Sequence, residues 1–279
     1  MGGLVARKRR RPAMLGFSIQ STSMGLGLYI IGDEILSGKR QDKHFPQILA
    51  LLKAREMRLD WVSYLGDDPA RLTEAFAASF RRGDVALSCG GIGATPDDHT
   101  RQSAAAALGL PLELHPEAKA LIQQRVIEAG LGDVDSPANQ QRLNMGMFPQ
   151  GSAIIPNPYN RIPGFSIRQH YFVPGFPVMA WPMLEWALDG PLAHLHGQGH
   201  QVERAVIVRH AMESDLTPLM EDIEQRFAGV KVFSLPSVDH PVWGRHIELG
   251  VKGDSAAVSE AFDYLRAHLP EGSWEDAPK

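Results

Sequence analysis

A single cysteine, Cys89, serves the whole 279-residue chain, so neither an internal disulfide nor a cysteine-based zinc finger can form, a usage that fits a reducing compartment. Long apolar runs are missing as well: none reaches the ~18 residues that a membrane-crossing helix needs. Neither sign of charge dominates. Against 28 Lys and Arg stand 32 Asp and Glu, and the formal net charge of -4 argues against a general nucleic-acid binder. What remains, 44% hydrophobic and 22% charged residues, excludes the disordered and fibrous classes and suffices for one large domain plus a smaller one.

The one concentration of charge is Arg7-Lys8-Arg9-Arg10-Arg11, followed by Pro12. A nuclear signal, a nucleic-acid arm and the n-region of a secretion signal all have this look, but Ala13 to Phe17 is too short and broken for the apolar segment that a secretion signal needs. A disordered basic tail is the plainer reading. Met24 stands directly before the first strand, so residues 1–23 are set aside from the fold.

From there the chain alternates. Gly25 to Ile31 reads as a buried strand, 42–57 as a helix carrying Phe45, Ile48, Leu49, Leu52 and Met57, and Leu59 to Leu65 as a second strand. Asp68 as N-cap with Pro69 at the first helical position starts a helix with Leu72, Ala75, Phe76, Ser79 and Phe80 on one face, closed by Gly83-Asp84. A third strand, 85–89, and helices over 100–108 and 115–129 follow. Residues 131–149 carry no clear pattern. Strands are expected at 151–155 and 171–173, separated by a loop too rich in proline and glycine to be a flexible linker, and a helix at 178–188 despite Pro182. Alternation of this kind means right-handed crossovers and a mostly parallel sheet covered on both faces, with ligands beyond the carboxyl ends of the strands. Gly190 to Gln201 marks the boundary of a first domain spanning 24–190. Beyond it, 201–270 reads as a small β-α-β-β-α unit, with Ser214 as N-cap of its first helix and a frayed tail after Pro270.

The stretch VALSCGGIGATPDDHT, residues 85–100, organises the first domain. A strand ends at Cys89, glycines 90, 91 and 93 let the backbone approach a ligand, and the amides of a helix start attract an anion. Gly-rich turns also merely reverse chains, and paired acids at a helix start also merely cap. Asp97 and Asp98 beside a phosphate repel it unless a divalent cation lies between; magnesium, held by one or two carboxylates and phosphate oxygens, resolves the conflict. Asp33 and Glu34 end the first strand at the same edge. Cys89 has no base beside it in sequence and reads as a small apolar filler. His194-x-His196-x-x-x-His200 looks metal-like but lacks a scaffold and a carboxylate partner.

Residues 25–188 resemble the N-terminal domain of the competence/damage-inducible protein A (CinA) family, within the MoaB/Mog molybdopterin-binding superfamily. The resemblance rests on GDEILSG (32–38), GDDPARL (66–72), SCGGIGATPDDHTRQSAAAALG (88–109), FPQGSAIIPNP (148–158), PGF (163–165) and VPGFPVMAW (173–181). It implies a three-layer α/β/α sandwich, homo-oligomers, a cytoplasmic location and a phosphorylated nucleotide or pterin as ligand, with no membrane or nucleic-acid partner. The ligand site so implied comprises Gly90, Gly91, Ile92, Gly93, Thr95, Asp33, Glu34, Pro163, Gly164, Pro174 and Gly175, with Asp97 and Asp98 as catalytic and Mg2+-binding residues. Two reactions fit: hydrolysis of a pyrophosphate such as ADP-ribose, and adenylylation of molybdopterin. A non-catalytic binding protein is the third reading.

Three departures bear on these expectations. The sequence ends without the amidohydrolase domain of longer CinA proteins, so nicotinamide-mononucleotide deamidation is expected to be absent. Lys39-Arg40-Gln41-Asp42-Lys43-His44 replaces the family's asparagine-bearing segment, and Asn160-Arg161-Ile162 precedes Pro163-Gly164 where small residues are usual. Lys43 and Arg161 either grip a second phosphate or are simply solvated.

Overall fold

The computed structural model describes residues 24–197 and 202–278. The basic run 7–11 and His200 lie outside the described residues. The chain divides into two compact units: the chain up to Ile48 together with Leu59–Gly190, and Leu49–Arg58 together with the chain from Pro191 onward.

In the first unit, β1 (Leu26–Ile31) is buried along its whole length, as is β3 (Val85–Cys89). These continuous apolar runs sit between covering layers. The short helix α1 (Asp33–Leu36) turns off the end of β1, and α2 (His44–Lys53) follows. β2 (Trp61–Leu65) leads to α3 (Pro69–Arg82), whose start is fixed by Asp68 accepting from the Arg71 amide at 2.8 Å and whose end is the left-handed Gly83. After β3 come α4 (Thr100–Leu108), β4 (Leu112–Leu114) and α5 (Pro116–Glu128). The patternless stretch 131–149 holds α6 (Pro137–Arg142), capped by Ser136, then one turn of 3-10 helix and β5 (Met147–Pro149), which pairs with β4. Strands of three residues are too short to show periodicity. β6 (Ala153–Ile155), β7 (Gly164–Ile167), β8 (His170–Val173) and α7 (Pro177–Asp189) complete the unit.

The main sheet has the order β2-β1-β3-β8-β7-β6. The first four strands run parallel; β7 and β6 are antiparallel additions. Tyr29, Ile31, Ala86, Phe165 and Phe172 face Leu72 and Phe76 of α3, Ala104 of α4 and Phe148. Leu28, Ile30, Leu87 and Val173 face the opposite way by alternation, toward the layer containing α7. The result is a three-layer α/β/α sandwich. Because β1 connects outward to β2 while β3 lies on its other side, the sheet order reverses between β1 and β3, the crevice where open α/β sheets take their ligands.

The second unit is α+β: a four-stranded antiparallel sheet, β10-β11-β9-β12, carrying two helices. Its elements are β9 (Val202–Arg209), α8 (Glu213–Arg226), β10 (Lys231–His240), β11 (Gly244–Gly253), α9 (Ser255–His268) and β12 (Trp274–Asp276). Two sequence expectations are corrected. Met212, not Ser214, occupies the N-cap of α8, and the Asp215 carboxylate accepts from its amide at 3.4 Å. The tail after Pro270 is not frayed: β12 pairs with β9, Trp274 opposite Val208. Trp274 also packs against the core of this unit, which overrides the polar composition around it. Among the described residues, no helix is long and apolar enough to cross a membrane.

Candidate functional site

Strand register gathers the expected site segments at one sheet edge. Ile31 lies beside Leu65, Cys89 beside Val173, and Ile155 beside Gly164. The parallel strands therefore end where antiparallel β7 begins, which brings Gly32–Glu34, Gly66-Asp67, Gly90–Gly93, Pro163-Gly164 and Pro174-Gly175 to the carboxyl edge. Gly175 lies against Gly90, and a Cβ at 175 would come within 3.4 Å of the Gly90 Cα.

The loop after β3 is held by its carbonyls. The Thr100 hydroxyl donates to the Gly90 carbonyl at 3.1 Å, and the Thr100 amide to Gly91 at 3.0 Å. The Arg101 guanidinium, 3% exposed, donates to the carbonyls of Ile92 at 3.0 Å and Gly93 at 2.6 Å. Burial brings this guanidinium down to about 10, against the opposing pull of Asp98, so it stays charged at neutral pH. In a planar trans peptide the N–H points opposite to the preceding C=O. Four carbonyls turned toward α4 therefore turn the amides of Gly91, Ile92, Gly93 and Ala94 outward, and none of these amides has a backbone or side-chain acceptor among the described residues. Gly90, at φ 113, permits this path, because a Cβ there would run into the Ile31 carbonyl. The unpaired donors at this edge are thus those of the loop itself. α4 begins only at Thr100, and its first amide is already bonded to Gly91.

The acids divide. Asp98 does not cap α4; its Oδ2 accepts from both the amide and the hydroxyl of Thr95, closing the loop 95–98. Asp97 is exposed, and the Thr95 hydroxyl and a backbone amide hold its carboxyl below the usual range. Asp33 and Asp67 are reciprocally bonded: the Asp33 amide donates to Asp67 Oδ2 at 2.9 Å and the Asp67 amide to Asp33 Oδ1 at 3.3 Å. Burial pushes the Asp67 carboxyl up against the pull of the Asp33 amide, and the charges of Asp33, Glu34 and Asp97 push it further. The acids Asp33, Glu34, Asp67 and Asp97 thus share one edge, with Arg40 and Lys43 beside Glu34 and Arg101 within reach of Asp98. Among the described residues, no group of three or more His, Cys, Asp or Glu side chains converges on a metal position.

Between the ends of β1 and β3 and the start of α2 lies a cavity of about 300 Å³, lined by apolar Ile30, Ile31, Ile35, Cys89 and Pro177, by Gly175, and by polar Glu34, Arg40, Gln41, Lys43 and His44. Asp42 fixes the start of α2, accepting from the amides of His44 at 2.7 Å and Phe45 at 3.2 Å. Cys89 is buried at the cavity floor and burial raises its thiol far above the usual range, so it stays a protonated filler. The loop 156–164 is tied by its own side chains: buried Asn157 donates to Asn160 Oδ1 at 2.8 Å and to the Ile162 carbonyl at 2.9 Å. Arg161 is spent elsewhere, in an ion pair with Glu128 at 2.9 Å. His194 is bonded at Nδ1 to the Pro191 carbonyl.

Residues 27–194 match the family model described as the probable molybdopterin binding domain. The chain belongs to this family. A protein of Caldivirga maquilingensis is 30% identical over 234 residues, covering 81% of this chain and 87% of the relative. A CinA-like protein of an Anaeromyxobacter species is 32% identical over 169 residues, or 59% of this chain and 40% of that one. Among solved structures, the protein CinA, of unknown function, from Thermoplasma acidophilum aligns over 61% of this chain and 99% of its own at a TM-score of 0.53 and 25% identity.

In this member of the molybdopterin-binding family, four residues at this edge take no role in a reading of the sequence alone. Arg101 and Thr100 look like ordinary helix residues until their bonds to the loop are seen. Asp67 looks like a turn residue before the Asp68 cap. His44 and its neighbours were visible only as a departure from the family pattern. The signal in each case was polarity at a strand end or helix start, which sequence alone shares with plain caps and turns.

Proposed function

We propose that the chain binds a phosphorylated nucleotide or pterin along this edge and, with magnesium, cleaves a pyrophosphate in it. The observation that carries the reading is the run of unpaired amides from Gly91 to Ala94, whose preceding carbonyls are held by Thr100 and Arg101, a set of donors suited to phosphate oxygens. Ile92 anchors the loop in the core, and Thr95 with Pro163, Gly164, Pro174 and Gly175 frames it. The acids fit magnesium better than an all-protein cage. Magnesium takes one or two carboxylates and completes its shell with water and phosphate oxygens, and the raised Asp67 carboxyl marks the field it relieves.

In this reading Asp97 and Asp98 hold the ion, with Asp33, Glu34 and Asp67 as the polar rim. When bound, magnesium neutralises phosphate charge and lowers the pKa of a coordinated water. The chain's own work is positional. Thr95 holds one Asp98 oxygen, which leaves the other to orient metal or water, and the loop amides fix the phosphate for in-line attack. The description of the matched family favours a pterin as ligand, and nucleotidyl transfer to a pterin phosphate would use the same parts.

Asp98→Asn keeps an acceptor for Thr95 and removes the charge. Hydrolysis of ADP-ribose with magnesium should fall by at least ~100-fold while the unfolding midpoint is unchanged. Unchanged turnover in the variant sinks the catalytic reading; ligand affinity without turnover in the wild type leaves a binding protein.

A further inference from the structure

The second unit holds a cavity of its own, about 470 Å³, bordered by the end of β9, the first turns of α8 and the end of α9. Its wall is mixed. Val208, Leu216 and Leu269 are buried apolar residues of this wall, with half-buried Leu219 beside them. Arg209, His210, Asp215 and His268, all exposed, supply charge and polarity. The fold leaves much of that capacity unused. Arg209 gives one guanidinium nitrogen to Glu275 at 2.7 Å, and a guanidinium fork carries further donors. Asp215 accepts from the Met212 amide and the Ser214 hydroxyl, both at a long 3.4 Å, and a carboxylate has lone pairs to spare. His268 Nδ1 lies 2.8 Å from the Tyr264 carbonyl, which can only accept, so Nε2 of the neutral ring is left as an acceptor. His210 takes a left-handed φ of 59, a conformation that residues other than glycine seldom adopt, and this strained turn joins β9 to α8 at the cavity.

We infer that this cavity binds a free α-amino acid with an apolar side chain. The deciding feature is charge of both signs on one partly apolar wall, Arg209 from the end of β9 and Asp215 from the first turn of α8. A purely anionic ligand would set its charge against Asp215, and a purely cationic one against Arg209. A zwitterion satisfies both. Its carboxylate matches the guanidinium fork of Arg209, and its ammonium, which only donates, matches the acceptors Asp215 and His268 Nε2. Its side chain would then cover Leu216, Leu219 and Leu269, surface that an apolar group gains by removing from water. The volume lies within the range of small-molecule pockets and leaves room for the larger apolar side chains. Every wall residue falls between 208 and 273, so this site stands or falls independently of the phosphate loop.

Calorimetric titration of the full chain with L-leucine, L-phenylalanine, glycine, L-leucinamide and N-acetyl-L-leucine tests the assignment. Leucine or phenylalanine should bind, and glycine about tenfold or more weakly, because it leaves the apolar wall uncovered. Leucinamide lacks the carboxylate and acetyl-leucine the ammonium, as the two ends of a peptide do, and each should bind about tenfold or more weakly than leucine. Asp215→Asn and Arg209→Gln, both at exposed positions, should each weaken leucine about tenfold while the unfolding midpoint of the free chain stays near wild type. Leu219→Trp should fill the cavity and abolish binding. Three results overturn the site: no binding of leucine or phenylalanine, leucine binding that survives Leu219→Trp, and leucinamide or acetyl-leucine binding as tightly as leucine. Wild-type affinity for leucine in both Asp215→Asn and Arg209→Gln overturns it as well, whether or not Leu219→Trp folds.

Discussion

The two edges of the main sheet are built from the same residue types and solve opposite problems. At the amino edge polar groups close on each other. Asp84, 2% exposed, accepts from the Gly25 amide at 3.2 Å, the Trp61 indole at 3.1 Å and the Arg82 guanidinium. His170 is buried nearby, bonded to Ser79 at 2.7 Å, and burial brings its ring down to about 3, so it stays neutral. At the carboxyl edge backbone donors are left unused, in the unpaired amides of residues 91–94, beside a carboxyl raised by burial and by its acidic neighbours; an unpaired histidine nitrogen does not separate the edges, since Nδ1 of His170 lacks a partner as Nδ1 of His44 does. Burial and polarity alone do not mark a site; what marks it is hydrogen-bonding capacity that the fold itself does not consume.

The largest effect expected from breaking this contrast lies at the amino edge. Asp84→Ala strips the acceptor from a backbone amide, an indole and a guanidinium, and should cost about 3 kcal/mol of stability, read as a lowered urea midpoint at unchanged slope. Pyrophosphate affinity, measured on the folded variant, should not change. A matching loss of affinity would show that the edges are coupled.

Arg101→Met makes the complementary break. The loop carbonyls of Ile92 and Gly93 lose their donor, so the peptide units are free to rotate and the outward amides lose their alignment. Pyrophosphate affinity should fall about tenfold, equivalent to about 1.4 kcal/mol, with a smaller change in the urea midpoint than Asp84→Ala produces. Affinity equal to wild type would mean that the amides do not hold the phosphate.

The alternation of strands and helices, the glycine loop and the Asp68 cap were legible in the chain because each rests on local chemistry: apolar runs, φ values only glycine takes freely, a side chain reaching three residues ahead. Less legible were β4, β5 and β7, which are three or four residues long and exist through pairing with distant partners. β12 was read as frayed for the same reason. Within the candidate site the loop was read from its glycines, but the side chains that hold its carbonyls, Thr100 and Arg101, were not, because the direction of a peptide plane depends on what binds its carbonyl. The bond of His44 Nε2 to the Gly175 carbonyl joins residues 131 positions apart, which no spacing rule contains.

The smallest effect tests the segment that composition made most suspicious. Arg161 stands before Pro163-Gly164 and adds positive charge beside the site segments, so a role as second phosphate ligand was open from sequence. In the fold it takes φ 64 and pairs with Glu128 at 2.9 Å, both side chains well exposed. Exposed pairs contribute about 0–1 kcal/mol, since water competes for both partners and two long side chains lose freedom. Arg161→Ala should therefore shift the urea midpoint by no more than about 1 kcal/mol and leave GMP and pyrophosphate affinities at wild-type values. Lys43→Ala, at the cavity rim, should weaken GMP where Arg161→Ala does not. If instead Arg161→Ala weakens pyrophosphate tenfold, the Glu128 pair opens on binding and the phosphate site extends along 156–164.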